Sequence, residues 1–257
     1  MELGIAGKVA MVAAGSKGIG LAVARVLAEE GCNVSICSRD RGNLGSATAS
    51  VPRLKGYVCD VANAEDLERW VAETGKELGE PDIVVTNTGG PPAGTLSSMT
   101  DEQWRAGFES TLMNVIRLAR LTAPGMASRG WGRIVHVTSL VAKEPSALLP
   151  ISSTLRAGLA ATTKLQALEY ADKGITVNAV LPGHTLTDRQ VHLARVRAEQ
   201  LGISEAEAMR LQEREIPMKR MAKAEEVGAV VAFLCSQQAA YVTGTSLLVD
   251  GGATRGL

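Results

Sequence analysis

Short apolar runs alternate with amphipathic stretches along the whole chain. Seven of these runs have the length of strands, and several are apolar on both faces. A strand that is apolar on both faces is typical of a parallel sheet covered by helices on both sides. The predicted strands are Lys8–Ala13, Asn33–Cys37, Leu54–Cys59, Asp82–Thr86, Arg133–Ser139, Ile175–Val180 and Ser246–Val249.

The stretches between these runs have helical periodicity. In the first, the apolar residues recur on one face and the pattern stops at Gly31, a residue that commonly ends helices. The predicted helices are Ile19–Glu30, Ala64–Leu78, Asp101–Met126, Ser152–Ala171, Arg189–Arg214 and Glu225–Leu234. Strands that alternate with helices predict right-handed β-α-β units, and therefore an α/β fold with a Rossmann-type, doubly wound parallel sheet of about seven strands.

Length and charge narrow the class of protein. A chain of 257 residues without a linker, a repeat or a low-complexity tract predicts a single domain, 1–257. The 27 acidic and 27 basic residues balance, so we expect no nucleic-acid or membrane partner. No apolar run has the length of a bilayer span, and the N-terminus lacks a signal pattern, so we expect a cytoplasmic protein.

The four cysteines have neither metal-ligand nor disulfide spacing. Each lies in an apolar segment, which predicts buried free thiols and no metal site. The cysteines are Cys32, Cys37, Cys59 and Cys235.

A glycine-rich turn joins the first strand to the first helix. Residues 14–20 read AGSKGIG. Glycines let the backbone approach a pyrophosphate, and the start of the helix offers free N–H groups to it. The turn therefore predicts dinucleotide binding, and the alternative is a tight structural turn.

The end of the second strand bears on the type of cofactor. Ser38-Arg39 carries no acid to bind a ribose 2′-hydroxyl, although Asp40 follows. Arg39 together with Lys17 would form a cationic clamp for a 2′-phosphate, which favours NADP(H) over NAD(H). Either residue alone is more typical of a solvated surface charge.

Five elements in order carry a resemblance to a known family. They are the GSKGIG turn, Asp60-Val61, Asn87-Thr88-Gly89-Gly90, the Asn178 to Thr187 segment with Pro182-Gly183, and Thr243-Gly244 with Val249-Asp250-Gly251-Gly252. The chain resembles the short-chain dehydrogenase/reductase family, particularly its β-ketoacyl carrier-protein reductase-like members, along almost its whole length. Ala14 departs from the family pattern, which has a glycine there.

The resemblance implies a nicotinamide cofactor and a homotetramer or homodimer built on the long fourth and fifth helices and a C-terminal strand at 241–252. It implies cofactor-binding elements over 8–90, catalytic and substrate elements over 101–217, and a lid over 185–217. The expected cofactor-binding residues are Gly15, Ser16, Lys17, Gly18, Ile19, Gly20, Ser38, Arg39, Asp60, Val61, Asn87, Gly89, Arg156, Pro182, Gly183, Thr185 and Thr187.

The chain departs from the family at the active site. The family has a serine, a tyrosine thirteen residues on, a lysine four residues beyond it, and an asparagine in the fourth helix. Ser139 matches the serine, but the next two positions hold Ser152 and Arg156. Counting back from Pro124 and Met126 places Thr111 at the asparagine.

These changes weaken the proton relay that the family uses. A serine hydroxyl is a poor proton shuttle near neutral pH, and an arginine does not release a proton there. Ser139 keeps the ability to polarise a carbonyl, and Arg156 keeps the ability to bind nicotinamide-ribose hydroxyls. Lys143 and His184 are the candidate proton donors, each with a plain alternative as a surface or pocket-lining residue.

The sequence therefore favours an NADP(H)-dependent oxidoreductase with a non-standard proton donor. Its substrate would be a small molecule with a carbonyl, an alcohol or an activated double bond. Two alternatives remain open. One is a cofactor-binding sensor or partner subunit with little activity, and the other is non-redox proton transfer in the same pocket.

Overall fold

Seven parallel strands form one sheet in the computed structural model of the chain, which describes residues 2–256. The strands are β1 (Val9–Val12), β2 (Asn33–Ser38), β3 (Leu54–Val58), β4 (Ile83–Thr86), β5 (Gly132–Val137), β6 (Ile175–Pro182) and β7 (Ser246–Val249). Their spatial order is β3-β2-β1-β4-β5-β6-β7. The predicted Rossmann-type fold, and a strand at each predicted position, are confirmed.

The strand order reverses between β1 and β4, which pair in parallel. In open α/β sheets, ligands bind outside the carboxyl ends of the strands at such a reversal. The loops that follow β1, β4, β5 and β6 are therefore the segments that form the site.

Helices cover both faces of the sheet. They are α1 (Gly18–Glu29), α2 (Arg41–Ser50), α3 (Ala64–Glu77), α4 (Asp101–Phe108), α5 (Asn114–Ser128), α6 (Pro150–Tyr170), α7 (Asp188–Leu201), α8 (Glu205–Glu215) and α9 (Ala224–Cys235). Ala10 and Val12 of β1 pack in the core under α1 and α9, while Met11 and Ala13 pack in the core under α3 and α5. This alternation explains why the strands are apolar on both faces.

Helix α2 was not predicted from the sequence, because it has two glycines and no clear apolar stripe. A local cap and tertiary packing stabilise it instead. The Asp40 side chain caps it by accepting a 2.9 Å hydrogen bond from the Asn43 backbone N–H. Leu44 and Ala47 are buried against the sheet.

Two predicted helices are interrupted in the structure. The segment Asp101–Met126 contains a π-helical turn over Glu109–Met113, which separates α4 from α5. The segment Arg189–Arg214 is divided at Gly202, whose φ of +65° ends α7 in the left-handed conformation that favours glycine. Local sequence periodicity does not register a one-turn break when the same apolar face continues beyond it.

The four cysteines are buried and free, as predicted. Within residues 2–256, none of the helices is both long enough and apolar enough to cross a membrane.

Candidate active site

A cavity of about 1260 Å³ opens at the carboxyl ends of the central strands. Pockets for single small ligands have volumes of roughly 300–1,000 Å³, so this one has room for a dinucleotide and a second small molecule. Its walls come from the loops after the first six strands and from α4, α6, α7 and α8.

The glycine turn forms one end of this cavity. Helix α1 starts at Gly18, and Lys17 before it makes no side-chain cap, so the first backbone N–H groups are available to an anion. Ser16, Lys17, Gly18 and Ile19 line the cavity. These features fit a pyrophosphate.

The other two predicted glycines of this turn act behind the cavity wall. A Cβ on Gly15 would lie 2.7 Å from Ile36 Cγ2. A Cβ on Gly20 would clash with the Ala14 carbonyl oxygen and lie 2.8 Å from Asn87 Nδ2. Neither glycine is among the residues that line the cavity, so each shapes the turn rather than contacting a ligand.

The end of β2 forms the adjacent wall. Ser38, Arg39, Asp60 and Val61 line it, as do Asp40 and Asn43 at the start of the unpredicted helix α2. The Arg39 guanidinium is largely exposed and lies 3.8 Å from the Asp60 carboxylate. An exposed guanidinium here fits a 2′-phosphate, because a weak surface ion pair is readily exchanged for a phosphate contact.

The remaining predicted cofactor residues line the opposite wall. Asn87 and Gly89 follow β4, while Pro182, Gly183, Thr185 and Thr187 follow β6. Thr187 packs close to Gly18 of the first wall: a Cβ added to Gly18 would lie 3.1 Å from Thr187 Cγ2. This arrangement fits the nicotinamide half of a dinucleotide.

Ser139, Ser152 and Arg156 line the same cavity. Ser152 and Arg156 lie one turn apart on α6, and each is 6% exposed. Arg156 Nε donates a 3.1 Å hydrogen bond to Ser152 Oγ, and Nη1 donates a 3.2 Å bond to the Val137 carbonyl. Because Ser152 Oγ accepts from Arg156, its own proton is free to bind a ligand oxygen.

Ser139, like Ser152, uses its hydroxyl oxygen as a hydrogen-bond acceptor. Its Oγ accepts a 3.3 Å hydrogen bond from the Val141 backbone N–H, which leaves the hydroxyl proton available. Ser139 and Ser152 therefore each offer a hydroxyl proton to a ligand in this cavity, and Ser152 lies beside the Arg156 guanidinium.

The charge of Arg156 lacks a counter-ion: no carboxylate forms a salt bridge with it within residues 2–256. Burial lowers the pKa of Arg156 to about 10, and repulsion from Arg189 acts in the same direction. Arg156 therefore stays charged at neutral pH, in surroundings of low dielectric constant that strengthen its interaction with an anion.

The two predicted proton donors have different positions. Lys143 is exposed and is not among the residues that line the cavity, and its role as a proton donor stays a prediction. His184 lines the cavity, and burial lowers its pKa, opposed by a hydrogen bond with Gln190. Thr111 lies in the π turn with its hydroxyl buried and unpartnered, and it does not line the cavity.

Several charged residues of the cavity wall were not predicted as site residues, among them Arg189, Arg197 and Glu215. Arg189 Nη2 donates a 2.6 Å hydrogen bond to the Pro91 carbonyl, and Arg197 forms an ion pair with Glu215. The position of Arg189, two residues after Thr187 in the first turn of α7, is the only sequence signal for it.

Known proteins match nearly the whole chain. The sequence profile of the family described as Enoyl-(Acyl carrier protein) reductase matches residues 13–254. The rabbit (Oryctolagus cuniculus) protein named Dehydrogenase/reductase SDR family member 4 is 35% identical over 254 residues, which are 97% of this chain and 94% of that protein. The chain belongs to the short-chain dehydrogenase/reductase family.

Two solved structures are similar to this one. L-Sorbose reductase from Gluconobacter frateurii, complexed with NADPH and L-sorbose, has a TM-score of 0.94 and 34% identity, with 100% of each chain covered. An NADPH-bound short-chain oxidoreductase from Pseudomonas aeruginosa PAO1, described as containing an atypical catalytic center, has a TM-score of 0.88 and 32% identity, covering 97% of this chain and 98% of that one.

These matches confirm the predictions of family, fold and oxidoreductase class. The NADPH held by both solved structures supports the prediction of NADP(H) as the cofactor.

Proposed function

We propose that the protein is an NADP(H)-dependent oxidoreductase that acts on a carbonyl, an alcohol or an activated double bond and stabilises the reacting oxygen electrostatically. The observation that carries this proposal is the buried Arg156 guanidinium, which has no carboxylate partner and hydrogen-bonds Ser152. Such an arrangement favours a negatively charged oxygen over a neutral one.

The cofactor would lie between the glycine turn and the segment after β6. Ser16 to Ile19 would hold the pyrophosphate, with Arg39 and Lys17 holding the 2′-phosphate. Asn87, Gly89, Pro182, Gly183, Thr185 and Thr187 would hold the nicotinamide end. NADP(H), when bound, supplies or accepts a hydride at that end.

The serines and Arg156 would respond to the charge that reduction creates. When the substrate carbon gains a hydride, its oxygen becomes an alkoxide, or an enolate if the double bond is reduced. Ser139 and Ser152 would each donate a hydrogen bond to this oxygen, and Arg156 would hold Ser152 in the donating orientation. Arg156 would also bind the nicotinamide ribose, as the resemblance implies for its position.

The proton that completes a reduction would come from His184 or from water. Within residues 2–256, no tyrosine lines the cavity, and its only lysine is Lys17 at the pyrophosphate end. His184 is the residue of the cavity wall whose ordinary pKa is closest to neutral.

A second candidate function is cofactor binding with little turnover, as in a sensor or a partner subunit. Serine and arginine in place of the family's tyrosine and lysine favour this alternative, because neither releases a proton readily at neutral pH.

The resemblance to the family also implies a lid and an oligomer, and both are compatible with this proposal. The proposed lid, 185–217, contains α7 and α8 and is tied to the loop after β4 by the Arg189–Pro91 hydrogen bond. A homodimer or homotetramer would bury the exposed Leu165 and Leu168 of α6 and Leu247 of β7.

The decisive experiment measures NADPH absorbance after the purified protein is mixed with each of a series of ketones and enones. The proposal is supported if at least one compound causes NADPH to be consumed and if the rate of consumption is lower in Arg156→Met. The double variant Ser152→Tyr/Arg156→Lys is the comparison. If the natural protein binds NADPH, consumes none, and gains turnover only in the double variant, the cofactor-binding alternative is correct.

A further inference from the structure

Two guanidiniums without acidic partners face the same cavity. Arg156 is almost fully buried on α6, and Arg189 is half-buried on α7. Neither takes part in any of the twelve salt bridges found within residues 2–256. The hydrogen bonds they donate to protein go only to neutral groups, namely Ser152, Val137 and Pro91.

The acids of the cavity wall are already engaged elsewhere. Glu215 forms the ion pair with Arg197. Glu144 accepts hydrogen bonds from the backbone N–H groups of Arg255 and Gly256. Asp60 lies beside Arg39, Asp188 beside Lys17, and Asp40 caps α2.

A pair of unneutralised positive charges in a partly buried cavity is unfavourable in the absence of an anion. Desolvation of each charge costs free energy, and the two charges repel each other. Repulsion from Arg189 is one cause of the lowered pKa of Arg156. A bound anion would remove both penalties, so the cavity is preorganised for a negatively charged ligand.

The cofactor phosphates are one possible anion, but other groups of the protein are better placed to bind them. The start of α1, Lys17 and Arg39 lie at the end of the cavity formed by β1 and β2. Arg156 instead lies beside Ser152, where the substrate oxygen would bind. Arg189 lies against the loop after β4, with its guanidinium Nε 3.6 Å from the position of a Cβ on Gly90.

We propose that the substrate is an oxo acid, or the corresponding hydroxy acid, whose carboxylate binds the Arg189 guanidinium with Arg156 nearby. This inference rests on the proposed function, because it places the carboxylate beside the oxygen that Ser139 and Ser152 would bind. The rest of the substrate would be apolar, since Leu140, Leu148, Leu149, Leu193 and Leu201 line the same cavity.

Binding is tested separately from turnover. Calorimetry on the protein loaded with NADP⁺ compares 4-methylpentanoate with its neutral amide, 4-methylpentanamide. Turnover with NADPH compares 4-methyl-2-oxopentanoate and 3-oxohexanoate with their methyl esters. The same measurements are made on Arg189→Met, on Arg189→Lys, and on Arg195→Met as the matched control.

Arg195 is a suitable control because it lies on the same helix but pairs with Glu205 at the surface. We expect the natural protein to bind the carboxylate about tenfold or more tightly than the amide, a difference of about 1.4 kcal/mol or more. Arg189→Met should lose this preference, Arg189→Lys should retain part of it, and Arg195→Met should retain all of it. NADPH affinity should change less than about twofold in the three variants.

Three results would overturn the proposal: equal binding of acid and amide, a preference that survives in Arg189→Met, or a large loss of NADPH affinity in that variant. The last result would assign Arg189 to the cofactor. A carboxylate preference that depends on Arg189, without turnover of any probe, would support the carboxylate site and contradict the proposed oxidoreductase function.

Discussion

Arg156 Nε donates a 3.1 Å hydrogen bond to Ser152 Oγ, one helical turn earlier on α6. The resemblance to the family places its lysine and tyrosine at these two positions. We propose that a pair in which a cation orients a hydroxyl group takes the place of the family's proton relay. Such a pair suits charge stabilisation better than proton transfer.

We therefore expect Ser152→Ala to lower kcat by about 10²-fold with a smaller change in KM, because a donor to the developing oxyanion is lost. Steady-state kinetics with any accepted substrate checks this. Ser153→Ala is the control, since Ser153 is equally buried and bonds only the Ser146 backbone N–H. Equal kcat losses in both variants would indicate a structural role for Ser152.

Arg156→Met should abolish most of the activity while leaving the fold as stable as before, or more stable. The substitution removes a buried charge that has no counter-ion, and replacing such a charge by an apolar side chain is often neutral or stabilising. Urea unfolding measures the free energy of unfolding. A loss of about 3 kcal/mol or more would mean that the guanidinium contributes to stability on balance.

His184 predicts a pH dependence of the reductive reaction. Burial lowers the pKa of His184 below the ordinary histidine pKa of about 6.5, so the imidazole is protonated only at a more acidic pH. If His184 donates the proton, kcat should fall as the pH rises through a pKa below ~6.5, and His184→Gln should remove that step. His192→Gln, at an exposed position of α7, should keep the natural profile. An unchanged profile in His184→Gln would leave water as the donor.

Gly20→Ala should weaken NADPH binding by about tenfold or more. The added Cβ would clash with the Ala14 carbonyl and press on Asn87, which displaces the turn that faces the pyrophosphate. Gly45→Ala is the matched control, because a Cβ there meets nothing within 4 Å, and alanine should stabilise α2 by roughly 0.5–1 kcal/mol. Fluorescence titration with NADPH measures the NADPH affinity of both variants. Unimpaired binding in Gly20→Ala would show that the turn is not tightly packed.

Arg39→Ala should lower the affinity for NADPH about tenfold or more and leave that for NADH nearly unchanged, since only NADPH carries the 2′-phosphate. Arg41→Ala, an exposed arginine outside the cavity wall, should change neither. Equal losses for the two cofactors in Arg39→Ala would assign Arg39 to another part of the dinucleotide.

The strands and most helices could be predicted because their signals are local. Apolar runs and helical periodicity are carried by residues that are neighbours in the sequence, and the cofactor residues lie at fixed positions next to those elements. Helix α2 was not predicted because its only local signal is the Asp40 cap, while its packing depends on Leu44 contacting a sheet that is formed by distant segments.

The sequence by itself determined the fold and the family, and the resemblance places Ser152 and Arg156 where the family has tyrosine and lysine. The tertiary structure decided which side chains surround those two residues. It separated Lys143 from the cavity and brought Arg189 to the same cavity as Arg156. The physical reason is that burial and unbalanced charge depend on neighbours from separate segments, and Arg156 and Arg189 are 33 positions apart in the chain.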